Sequence, residues 1–276
     1  MELELKKECL DTYELGEPQT LTQEETAETI VPDYCPDIAR IISAEGVVCL
    51  HGGTEQDGVT GTVRVTVLYT PENESGVRAL EFAMPFSAQG EGLAGCAHVV
   101  VDTEIELLES RMLNPRKIFT RCKLVTHLAG CRKVCLTISS DAETDPALLV
   151  EKRCCGQTVS LLRQVAEKDL TFSETMSLSL GREGAAELLH CRANGIVTET
   201  KAIGNKLIFK GVFWVSALYR TIGGQLASAS AELPFSQIME TDSTEENTQV
   251  SMRLRITGTD IQIDGSDDEG RQLSVT

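Results

Sequence analysis

A repeat about 150 residues long constrains this chain more than any local motif. The strand-like run Gly58-Val59-Thr60-Gly61-Thr62-Val63-Arg64-Val65-Thr66-Val67-Leu68-Tyr69 returns as Leu207-Ile208-Phe209-Lys210-Gly211-Val212-Phe213-Trp214-Val215-Ser216-Ala217-Leu218-Tyr219, with Gly61 to Gly211 and Tyr69 to Tyr219 each 150 positions apart. Gly46-Val47-Val48 recurs as Gly195-Ile196-Val197, and Met84-Pro85-Phe86-Ser87 as Leu233-Pro234-Phe235-Ser236, both offset by 149. The chain therefore divides into two tandem homologous units, 1–147 and 148–276. If Arg116-Lys117-Ile118 corresponds to Arg271-Gln272-Leu273, the second unit stops about one or two strands short, taking strands of about 5–6 residues. The expectation is either a piece of a longer protein or a unit that has lost its closing hairpin, with an open sheet edge as a pairing site.

Within each unit the dominant period is two. Val59, Gly61, Val63, Val65, Val67 and Tyr69 share one face against Thr60, Thr62, Arg64 and Thr66, and Val250, Met252, Leu254 and Ile256 alternate with Ser251, Arg253 and Arg255. Such alternation marks half-buried antiparallel strands. Gly-rich and acidic turns separate them, at Gln56 to Gly58, Pro71 to Gly76, Ile222 to Gln225 and Asp264 to Gly270. The fold class is mainly β, with one β-sandwich or barrel per unit. One short helix per unit is predicted. In the first, Pro36 to Gly46 combines a first-turn proline, Asp37 at the positive helix end, and an Ile38, Ile41, Ile42 stripe. In the second, Gly184 to Cys191 keeps the apolar spacing without the proline.

Composition excludes several function classes. The 25 Lys plus Arg against 42 Asp plus Glu give a net charge of −17, which repels nucleic acid and anionic membranes. No run of about 18 apolar residues forms a membrane span, and the charged, alternating start Met1 to Glu8 lacks the pattern of a secretory signal. The reading is a cytoplasmic protein whose ten cysteines are mostly reduced and buried.

Candidate chemistry is sparse. Cys122, His127, Cys131 and Cys135 have the ligand types of a zinc site, but their spacings of five, four and four fit no standard finger, and small core residues on a strand, turn and strand explain them better. Adjacent Cys154 and Cys155 read as structural. No Gly-x-Ser-x-Gly, phosphate-cradling glycine motif or repeated histidine is present. The protein reads as a non-enzyme that needs no cofactor.

Val31-Pro32-Asp33-Tyr34-Cys35-Pro36-Asp37-Ile38-Ala39-Arg40-Ile41-Ile42-Ser43-Ala44-Glu45-Gly46 resembles the signature of the SPOCS domain, a module of spore-forming Clostridia. The resemblance continues through the Gly61 to Tyr69 strand to Pro85-Phe86-Ser87 and Arg116-Lys117-Ile118. The second unit resembles the same domain from Gly211 to Tyr219 and Leu233 to Gln237 but lacks the Pro-Asp signature, as a divergent copy would. No segment resembling a LysM module accompanies either. The resemblance implies a non-catalytic scaffold in spore-coat morphogenesis, on the mother-cell side of the forespore, with a coat or forespore-surface protein as partner. It nominates Pro32, Asp33, Pro36, Asp37 and Ile38 as a protein-binding segment, with self-association through strand edges expected beside it. Two other classes stay open: a cell-wall glycan-binding module, which would need Trp214 or Tyr219 exposed in a groove, and a hydrolase, which would need Cys, His and a carboxylate in one cleft.

Overall fold

The computed structural model describes residues 4–51, 58–143, 151, 153, 156, 158–178, 183–242, 248–264 and 271–276. Among these every regular element is a strand. The Cys154–Cys155 pair, most of the Asp264–Gly270 turn and most of the Gln56–Gly58 turn lie outside the described residues.

In the N-terminal half, β1 (Glu4–Leu15), β2 (Gln19–Ile30), β6 (His98–Asn114) and β7 (Lys117–Glu143) form one antiparallel sheet around the 27-residue β7. The first part of β7 is paired on both edges, with Gln19–Ile30 on one side and His98–Asn114 on the other, and its last part pairs with β1. A second sheet is the meander β3 (Ile38–His51), β4 (Gly58–Pro71) and β5 (Arg78–Gln89). The alternation in β4 has the outcome its sequence demands. Val63, Val65, Val67 and Tyr69 are fully buried against Ile118, Cys122 and Leu124 of β7, so the two sheets enclose one core. Pro85 lies on β5, at the sheet edge, where its missing N–H removes no ladder bond between central strands.

The C-terminal half carries a corresponding meander, β9 (Ala185–Ile203), β10 (Lys206–Thr221) and β11 (Leu226–Glu240). Its second sheet is small: β8 (Glu174–Ser177), β13 (Gln272–Val275) and β12 (Ile261–Ile263), in the order β12-β13-β8. Phe209, Phe213, Val215, Ala217, Tyr219, Leu233 and Phe235 pack with Met176 and Leu273 into a second core.

Both helix expectations are corrected. Ile38 to Gly46 is extended within β3, and Ala185 to Cys191 is extended within β9. The reason is a pair of bulges. In β3 the register skips Ala39 and Ile42, and in β9 it skips Ala186 and Leu189. Each bulge inserts one unpaired residue, so Ile38, Ile41 and Ala44 recur every three positions on the inward side, mimicking a helical spacing on a strand. The skipped residues occupy corresponding places: Ile41 and Leu188 face Tyr69 and Tyr219, while Arg40 and Glu187 face Thr70 and Arg220.

The turn expected between Thr126 and Arg132 is likewise absent, since β7 runs straight through it. Gly130 is there for close approach. A Cβ at that position would lie 2.5 Å from the Cys96 sulfur, and its carbonyl accepts the Gly16 N–H at 2.8 Å. Six of the described cysteines are free thiols, and one pair is bridged, Cys9 and Cys135, between β1 and β7 with their Cα atoms 5.6 Å apart. Antiparallel pairing of Glu4–Leu15 with β7 brings the two residues within bridging range.

Candidate functional site

The signature loop is organised by Arg116, at the turn between β6 and β7. Its Nη1 donates to the Cys35 carbonyl at 2.8 Å and to Asp37 Oδ1 at 3.0 Å, and its Nη2 donates to the Val31 carbonyl at 2.8 Å and to Asp33 Oδ1 at 3.0 Å. The backbone reinforces this: the Val31 N–H donates to the Arg116 carbonyl and the Ile38 N–H to the Pro115 carbonyl. One planar guanidinium thus satisfies two carbonyls and two carboxylates, which its forked geometry permits and a lysine's point charge does not. Asp33 and Asp37 are internal counter-ions. Pro32 and Pro36 hold the chain extended on either side of a turn in which the Cys35 N–H donates to the Pro32 carbonyl.

Of the five nominated residues, Ile38 is fully buried in the core and has no surface to offer a partner. What projects is Tyr34, 88% exposed, with Ile30 at 70% on the adjoining strand and Met112 and Leu113 exposed at the end of β6. Sequence reasoning missed this apolar tip. Tyr34, a large aromatic between two Pro-Asp pairs in a turn, was the available signal.

Beneath the loop, the Tyr69 hydroxyl donates to the Pro36 carbonyl at 3.3 Å. Burial, then the neighbouring Cys35, pushes its pKa up to about 12. The folded state therefore favours the neutral phenol, and the stability this contributes is complete below pH ~10, the ordinary tyrosine value. It is lost as pH rises from there through about 12. Tyr69→Phe is expected to flatten that alkaline loss and to cost ~1 kcal/mol at neutral pH, measured by urea denaturation as a function of pH. Tyr219 supplies the contrast, for its buried hydroxyl has no partner among the described residues. Tyr219→Phe is expected to be neutral or slightly stabilising in the same assay, because it removes an unsatisfied polar group.

The four candidate zinc ligands are strung along β7. Cys122 and Cys135 are thirteen residues apart on one extended strand, about 43 Å at ~3.3 Å per residue. Cys135 is in the disulfide, and the His127 Nδ1 meets the Thr20 hydroxyl at 3.0 Å. The structure does not bring the four together. Burial, then Glu25, raises the Cys122 pKa to about 11, and burial, then Cys96, raises that of Cys131, so neither favours the thiolate that metal binding or nucleophilic attack requires. Cys191 is likewise held near 11 by burial. These three thiols are expected to react far more slowly with an alkylating reagent at pH 8 in the native protein than in denaturant, as read by mass spectrometry.

A concavity of about 1180 Å³ lies between the C-terminal half and Arg64 and residues 98–102 of the N-terminal half. Segments 165–172 and 251–260 form its walls, and Phe209, Phe213 and Val215 of β10 contribute to its floor. Trp214 points to the other face of β10 and Tyr219 is fully buried, so neither aromatic lines the groove. Charges of both signs rim it: Arg253 pairs with Asp102 at 3.2 Å, Arg255 with Glu167 at 3.7 Å, and Arg64 donates to the Thr259 carbonyl at 3.0 Å.

Residues 185–264, spanning β9 to β12, match the family model described as SipL, SPOCS domain. This match supports the resemblance to the SPOCS domain read from the sequence. The match falls on the half in which the Pro-Asp signature is missing, and it covers the bulged β9, the Gly211 to Tyr219 strand and the Pro234-Phe235 strand. No curated protein and no solved structure matches the chain. Among the described residues no helix is long and apolar enough to cross a membrane.

Proposed function

We propose that the protein is a non-catalytic scaffold of the spore coat, made of two tandem SPOCS units, that acts through protein–protein contacts in the mother-cell cytoplasm. The SPOCS match over residues 185–264 carries this reading. The two-unit organisation is supported by the equivalent bulges in β3 and β9, and by the Gly61–Phe86 and Gly211–Phe235 pairs at matching places in the two meanders. A scaffold role accords with candidate thiols that burial holds protonated and with an exposed apolar tip at Tyr34.

The test is affinity capture from sporulating mother cells with the intact chain and with a Tyr34→Ala variant. Tyr34 makes no internal hydrogen bond in the Arg116 network, so its removal leaves the loop held. The expected result is recovery of coat proteins by the intact chain and a marked loss with Tyr34→Ala. Equal recovery by both would move the contact away from the loop, and recovery of no coat protein would contradict the scaffold reading.

A further inference from the structure

The two halves of the chain meet where one end of β9 lies against the outer face of the first meander. The Glu187 carboxylate lies 3.6 Å from Arg78, and His190 Nε2 lies 3.0 Å from the Glu45 carboxylate. Arg64 Nη1 donates to the Thr259 carbonyl at 3.0 Å, and β9 runs against both β4 and β5. Leu189 stands between Glu187 and His190. It is 1% exposed yet belongs to none of the apolar cores among the described residues, so its burial comes from this junction. On the receiving face Thr66, which is opposite Glu45 and Glu81, and Cys49, which is opposite Thr62, are buried as well.

Both surfaces of this junction have a counterpart in the other half, and both counterparts are exposed. Aligned on Gly61 and Gly211, β4 and β10 place Val212 where Thr62 stands, Trp214 where Arg64 stands and Ser216 where Thr66 stands. Ser216 is exposed where Thr66 is buried, and Ile196, opposite Val212, is exposed where Cys49 is buried. Trp214 is 44% exposed, and Pro234 and Ile238 of β11 add to the same apolar face. At the other surface, Ile42 is the bulged residue of β3 as Leu189 is of β9, and it is 50% exposed. The charges are exchanged with them. Arg40 takes the place of Glu187, while Glu232 stands beside Trp214 where Ala83 stands beside Arg64. Lys210, on the same face as Trp214, is paired with Glu199 at 3.4 Å.

We propose that the chain associates with a second copy of itself, head to tail: the Ile42 end of β3 in one copy docks on the Trp214 face of β9, β10 and β11 in the next. The internal junction is the precedent, with Ile42 acting as Leu189 does and Arg40 reaching Glu232 as Glu187 reaches Arg78. The docking end and the receiving face are different surfaces, so the contact is heterologous and extends into a ring or a filament. A half-exposed tryptophan within an apolar face is the residue type that anchors such contacts. The inference rests on the two-unit reading, and it gives the scaffold a way to assemble.

The experiment is sedimentation velocity of the full chain from low to high micromolar concentration, at physiological ionic strength so that the net charge of −17 is screened. The expected result is a mass that rises beyond the dimer, while the emission of Trp214, the single tryptophan, moves to shorter wavelength over the same range. Trp214→Arg and Ile42→Asp are each expected to weaken association at least about tenfold. Mixed together, the two variants are expected to form one-to-one dimers and nothing larger, since one keeps the docking end and the other the receiving face. A chain monomeric throughout, a variant that associates like the parent, or variants that fail to pair when mixed would overturn the proposal. The emission reads the parent chain alone, so association without a change in it overturns the proposal even where a variant does not fold. Capture of coat proteins is a separate measurement: a monomeric chain that still captures them rejects this contact and leaves the scaffold reading standing.

Discussion

Arg116→Ala is expected to lower stability by about 2–4 kcal/mol and to release the Val31 to Ile38 loop. The side chain makes four hydrogen bonds, all to groups that its removal leaves behind. The Val31 and Cys35 carbonyls sit on partly buried backbone and lose charge-assisted donors, each worth about 1.5–3 kcal/mol in a buried setting. The carboxylates matter less. Asp33 has a fully exposed side chain, so its pairing is screened and Asp33→Ala is expected within about 0.5 kcal/mol of the parent. Asp37→Ala falls between the two, and Arg116→Lys recovers only part of the loss because an ammonium cannot bridge all four acceptors. Urea denaturation at constant m-value orders the series. An Arg116→Ala protein as stable as the parent would remove the clamp from the account.

Gly211→Val carries the other large effect, an expected loss above ~3 kcal/mol or outright failure to fold. A Cβ at Gly211 would stand 2.2 Å from the Ile196 carbonyl oxygen and 2.5 Å from the Phe235 ring. The ring could turn, but the backbone oxygen belongs to the paired strand β9 and cannot move without breaking the ladder. Gly61 makes the corresponding approach, 2.5 Å to Phe86 and 2.9 Å to the Cys49 carbonyl oxygen, so Gly61→Ala is expected to be milder, at about 2 kcal/mol. A phenylalanine on the neighbouring strand covers each glycine, which explains why the glycine and the Pro-Phe strand recur together. Gly258→Ala is the control. Its Cβ would meet nothing within 4 Å and its φ is ordinary, so thermal unfolding should be unchanged or slightly improved.

The strands were legible wherever alternation was clean. Val59 to Tyr69 and Leu207 to Tyr219 bury the side chains their period of two assigns to the core. The error at Pro36 to Gly46 has a physical cause: a bulge changes the local period, and two bulges in six residues turn an alternating strand into a pattern read as helical. Sequence reasoning grouped Arg116 with the Pro-Asp signature but could not supply the clamp, which joins positions about 80 residues apart through side-chain geometry. Cys9 and Cys135 were hidden for a related reason, since only the pairing of β1 with β7 brings them together.

The account rests on one asymmetry: two similar meanders, one backed by a sheet in which β7 is paired on both edges, the other by the short strands β8, β12 and β13. Amide hydrogen exchange of the free protein tests it most directly. The account predicts strong protection at 19–28 and 98–107, where both segments bond to β7, and rapid exchange at 163–172 and 249–259. Equal protection of the two sets would mean that 163–172 and 249–259 are hydrogen-bonded in solution, and would contradict the account.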